Sequence, residues 1–117
     1  MSYDFFAKNY TPLYKYARFD AIQTTGAVWT PATGRKLVLT GLTITNNAAA
    51  GTFLLFIGSS NVAPAKIAQF TIGASATIVP VFGPIDGSAA NYILFMGTSS
   101  GGTDGSHVFA TGFEVEQ

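Results

Sequence analysis

Turn-forming clusters recur along this sequence at intervals too short to leave room for helices: Asn9–Pro12, Gly26, Pro31–Gly34, Asn46–Gly51, Ser59–Pro64, Gly73–Ala74, Gly83–Asn91 and Ser99–Ser106. Between them lie about eight extended segments, near 13–18, 20–25, 35–46, 52–58, 66–72, 76–82, 92–98 and 107–116. Thr, Val, Ile, Phe, Tyr and Gly dominate, strong helix formers are sparse, and almost nothing repeats with a helical period. Short strands so punctuated make an all-β sandwich or barrel, and eight of them fit a jelly roll best. The expectation is one eight-stranded antiparallel jelly-roll sandwich over residues 13–117, behind an extended aromatic N-terminal arm over residues 1–12.

Individual strands carry finer expectations. In RKLVLTGLTITNN, Leu37 and Leu39 share one parity while Leu42 and Ile44 share the other. An extra residue near Thr40–Gly41 should therefore form a bulge that returns the apolar side to the core. Near the end, Phe109, Thr111, Phe113 and Val115 alternate with Ala110, Gly112, Glu114 and Glu116, which predicts one buried face and one wet face, the aromatic set inside. TFLLFIG at 52–58 and YILFMG at 92–97 do not alternate. Either a loop or the N-terminal segment covers their second faces, or those faces meet another subunit.

Composition narrows the function. Six acids balance six bases, and charged residues are 10% of the chain, against about 25% in an average globular protein. Between Leu37 and Thr103 only Lys66 and Asp86 carry charge. A neutral chain has little colloidal repulsion, which suits life in an assembly, and it has no basic excess for neutralising phosphates. No nucleic-acid partner is expected. The apolar runs are far too short to cross a bilayer and no targeting segment is visible, so synthesis in a cytoplasm without membrane attachment is expected. The chain has no cysteine, which removes disulfides and thiol chemistry.

A search for an active site returns almost nothing. His107, the one histidine, has no second histidine or cysteine for a metal set. Ser106 beside it should point to the opposite face of the strand, leaving His107 as an exposed strand-end residue. Glu114 and Glu116 fall on one strand face, solvated or paired with a partner's cation. Asp86 and Asp104 sit in GPIDGSAAN and SSGGTDGS, which read as turns, although the two meeting across one end of the sandwich stays open. No catalytic residue, cofactor or metal is expected, and the chain reads as no enzyme. Trp29, the single tryptophan, is either a plug at one end of the core or a platform for a sugar. In the second case the chain is a carbohydrate-binding or host-attachment module, using Trp29 with the loops at 59–64, 83–91 and 99–106.

The run VWTPATGRKL at 28–37, continuing as LTGLTITNNAAAG at 39–51, and the stretch VFATGFEVE at 108–116 resemble small β-sandwich virion proteins of tailed bacteriophages, among them jelly-roll head decoration (cement) proteins. The resemblance covers about residues 25–116 and rests on turns and strands. It implies a capsid decoration protein made in the host cytoplasm and located on the capsid surface. It also implies a homo-oligomer, a trimer, that ties together neighbouring copies of the major capsid protein or binds another virion protein.

The first nineteen residues lie outside that match, and seven of them are aromatic. Tyr3, Phe5, Phe6 and Tyr10 belong to the arm, while Tyr14 and Tyr16 alternate with Leu13, Lys15 and Ala17 as in a strand. Each aromatic that leaves water contributes about 1.5–3 kcal/mol, so the arm should cap its own sandwich, cross to a neighbour or dock on a capsid. Stacking on single-stranded nucleic acid is the weaker fourth fate, because Asp4 and Asp20 offset the cations. The docking reading names Tyr3, Phe5, Phe6, Lys8, Tyr10, Tyr14, Tyr16 and Arg18 as the partner-binding set, aromatics as anchors and cations as a polar rim.

Overall fold

The computed structural model describes residues 12–19, 26–47, 49–98 and 106–116, with the side chain of Phe19 left aside. Nine strands follow in chain order: β1 (Leu13–Phe19), β2 (Gly26–Trp29), β3 (Arg35–Asn46), β4 (Gly51–Gly58), β5 (Ala65–Ile72), β6 (Ala76–Ile78), β7 (Ile85–Asp86), β8 (Ile93–Thr98) and β9 (Ser106–Glu116). One sheet runs β1-β9-β3-β6, with β7 also on β3, and the other runs β2-β8-β4-β5. Every pairing is antiparallel. Apart from the two-residue β7 and the β4–β5 hairpin, the chain alternates between sheets, and the strand order is that of a jelly roll, as its turn spacing predicts.

β3 behaves as its parity requires. Its pairing with β9 shifts register between Leu39 and Gly41, and Leu37, Leu39, Leu42 and Ile44 all face the core. The extra residue, Thr40, donates its hydroxyl to the Thr111 carbonyl at 3.2 Å. Opposite lie Phe53, Leu55 and Ile57 of β4 and Leu94 and Met96 of β8, so both sheets contribute an apolar inner face. The second faces of β4 and β8 are not open either. Leu54 and Phe56 are half-buried, and Phe95, in register with Phe56, is buried outside the central core cluster.

One amide ties three connections together. Asn46, fully buried at the end of β3, donates to the carbonyls of Ala49, Ile72 and Gly73 at 3.0, 3.2 and 3.0 Å. Its own oxygen accepts from the buried Ser106 hydroxyl at 3.4 Å. The β3–β4 loop, the β5–β6 turn and the start of β9 are thus held by a satisfied polar group inside the core.

Three expectations need correction. The segment expected as a strand over 76–82 stops at Ile78, because Pro80 has no N–H for a ladder, and Val79 and Val81 stand exposed. The first strand of the second sheet is Gly26–Trp29, where a turn at Gly26 was expected; the strand expected near 20–25 lies outside the described residues. The faces of β9 are the reverse of those expected. Val108, Ala110 and Gly112 point inward, and Phe109 points out. The reason is size: a Cβ on Gly112 would lie 3.0 Å from the Trp29 ring and would run into the Val38 carbonyl oxygen. Trp29 already fills the space that a larger β9 residue would need.

Candidate functional site: an exposed aromatic sheet face

Because β9 turns its small residues inward, its large ones form a surface with β1. Cross-strand register places Tyr14 opposite Thr111, Tyr16 opposite Phe109 and Arg18 opposite His107. On the far side of β9, Thr43 lies opposite Phe109 and Thr45 opposite His107. The Tyr16 ring packs against Phe109 with centroids 4.8 Å apart and against His107 at 5.7 Å, both tilted. Tyr14 is 74% exposed, Tyr16 51% and Phe109 46%. Three large apolar residues close together on one sheet face differ from the isolated exposed hydrophobics of ordinary surfaces.

Tyr14, Tyr16 and Arg18 come from the expected partner-binding set, and the structure brings them together on the outer face of β1. Tyr3, Phe5, Phe6, Lys8 and Tyr10 lie outside the described residues. Phe109, missing from that set, is the residue that sequence reasoning placed on the wrong side of its strand. Its neighbours Ala110 and Gly112 carried the signal, being too small to cover a wet face and well suited to lie beneath a tryptophan.

The other candidate residues are used for structure. The ring of Trp29 is 1% exposed, its indole N–H donates to Glu114 Oε2 at 2.8 Å, and the other Glu114 oxygen accepts from the Ala32 N–H at 3.2 Å. The tryptophan sits in the core, and the glutamate expected to be solvated fastens it to the 30–34 turn. Glu116 approaches Arg35 at 3.7 Å on the surface. Asp86 forms an ion pair with Lys36 at 2.8 Å and accepts the Ser88 N–H at 2.7 Å, the turn geometry expected of an aspartate ahead of glycine. The Lys36 ammonium first, and the Ser88 N–H second, hold its carboxyl below the ordinary value. Asp104 lies outside the described residues. Ser106 is buried and His107 turns to the opposite face, as strand geometry requires. Among the described residues no group of three or more His, Cys, Asp or Glu converges as a metal set.

No family model matches the sequence, and no curated protein does. Among solved structures, a chain in one described as the capsid asymmetric unit of cyanophage Pam1 is similar over 92% of this chain and 87% of its own, at 16% identity and a TM-score of 0.47. That is a loose likeness of chain path, and no residue's role is carried across from it.

Proposed function

We propose that this chain is a non-enzymatic structural virion protein of a tailed bacteriophage, a decoration protein that binds the outside of the head as an oligomer and stabilises it. The observation that carries the reading is the exposed Tyr14–Tyr16–Phe109 face, and the sequence preceding β1 is itself rich in aromatic residues. The jelly-roll strand order and the resemblance of residues 25–116 to small phage β-sandwich proteins agree with it. Adhesion supplies the mechanism: aromatic anchors leave water against the major capsid protein, with Lys8 and Arg18 at their rim. A ligand that binds only the assembled shell shifts the assembly equilibrium towards it.

The test is co-sedimentation of the purified chain with undecorated heads built from the major capsid protein of the phage that encodes it. Saturable binding and a raised temperature of head disruption are expected. Heads that bind none of the chain, and melt unchanged in its presence, overturn the proposal. Deleting residues 1–11 separates the arm from the sheet face, and the deletion is expected to weaken binding.

A further inference from the structure

β1 is the edge of its sheet: among the described residues it has β9 on one side and no strand on the other. It runs seven residues, Leu13–Phe19, with no register shift against β9 and no proline inside it. Natural edge strands of this length are normally blunted by charge, bulge or proline, since an open ladder invites another strand. Here the blunting is partial and selective. Lys15, at the third position, blocks some pairings and leaves one open.

We infer that β1 is the seam of a homodimer, in which β1 of one copy pairs antiparallel with β1 of a second copy about a two-fold axis through Tyr16. Across such an axis, directly opposed residues share a sheet face, so the axis must pass through a residue position. An axis through Lys15 sets two ammonium groups directly opposite each other and brings Pro12, which lacks an N–H, into the ladder opposite Arg18. An axis through Ala17 sets Lys15 opposite Phe19 and Tyr16 opposite Arg18, and pairs only five of the seven residues of Leu13–Phe19 with one another. Only the axis through Tyr16 uses all seven residues. It sets Tyr16 against Tyr16 of the second copy, Lys15 against Ala17, and Arg18 against Tyr14, where a guanidinium and an aromatic ring attract. The strand is therefore most fully complementary to itself in this register.

The pairing joins two four-strand paths into one sheet and runs the Phe109–Tyr16 aromatic row across the seam into its symmetry mate. It replaces the threefold association that the resemblance implies with a twofold one, and it stands whether or not the chain binds a capsid.

The absence of native cysteine gives a direct test. Opposed Cα atoms in an antiparallel pair lie about 4.5–5.5 Å apart, within the range a disulfide spans, whereas residues four positions out of register do not. The full-length chain is expected to sediment as a dimer. Under mild oxidation Tyr16→Cys is expected to convert to a disulfide-linked dimer and Tyr14→Cys to remain unlinked. Tyr16→Glu is expected to sediment as a monomer that still unfolds cooperatively, and mixing it with Tyr16→Arg is expected to restore the dimer. A monomer or trimer at every concentration overturns the inference, as does equal cross-linking of the two cysteine variants.

Discussion

The two faces of β9 use aromatic rings in opposite ways. On the inner face, beside the buried Val108 and Ala110, Gly112 leaves room for Trp29, whose ring is enclosed and whose N–H is bound by Glu114. On the outer face, Phe109 and its neighbours Tyr14 and Tyr16 stand in the open. The difference shows that ring size is spent once inside, on a single large plug beneath small residues, and again outside, where folding gains little from it. Residues that contribute little to folding yet remain large and apolar are the ones to assign to a partner.

That contrast can be broken from the inside first. Trp29→Ala empties the largest fully buried side chain and is expected to cost about 3–5 kcal/mol in urea unfolding, with loss of the folded state at 37 °C as the visible result. Gly112→Ala puts a methyl group against the Val38 carbonyl and the Trp29 ring, an overpacking expected to cost about 1–3 kcal/mol. A Gly112→Ala protein as stable as the parent would mean that β9 does not press on Trp29.

The remaining effects on stability are smaller. Because Asp86 is held below its ordinary value of 3.8, its pairing with Lys36 contributes fully above that value and is lost as the pH falls through the lower, folded-state value. Asp86→Asn is therefore expected to cost roughly 0.2–1 kcal/mol at neutral pH, and its stability curve should meet that of the parent in strong acid. Comparably small, Phe109→Ser removes one ring of an exposed aromatic pair and is expected to cost no more than about 1 kcal/mol. Its effect should appear in partner binding instead, read by co-sedimentation and solution mass. A large drop in melting temperature for Phe109→Ser would make the outer face structural and remove the contrast.

Periodicity was enough to read β1, β3 with its bulge, and the overall order of short strands, because each depends on local alternation and turn chemistry. It was not enough for β9. Alternation identifies two faces without saying which is inside, and the choice depended on Trp29, a residue eighty-odd positions earlier whose ring occupies the available volume. β7 escaped notice because two residues carry no period, and the 76–82 segment was read too long because Val79 and Val81 keep the alternation after Pro80 has ended the ladder. Of the candidate site, Tyr14, Tyr16 and Arg18 were legible from strand parity. Phe109 was not, for the same reason that the faces of β9 were not.

The central place of β9 also sets when the protein can fold. It lies between β1 and β3, so β1 has no hydrogen-bonded neighbour among the described strands until β9, the last of the nine in chain order, has been made. The Asn46 amide likewise waits for Ser106. The first sheet is consequently built on pairings distant in sequence, which makes folding slow for a domain of this size. Until β9 is in place, both edges of β1 lack a neighbour among the described strands, and unpaired strands of that kind favour association with other chains before folding is complete.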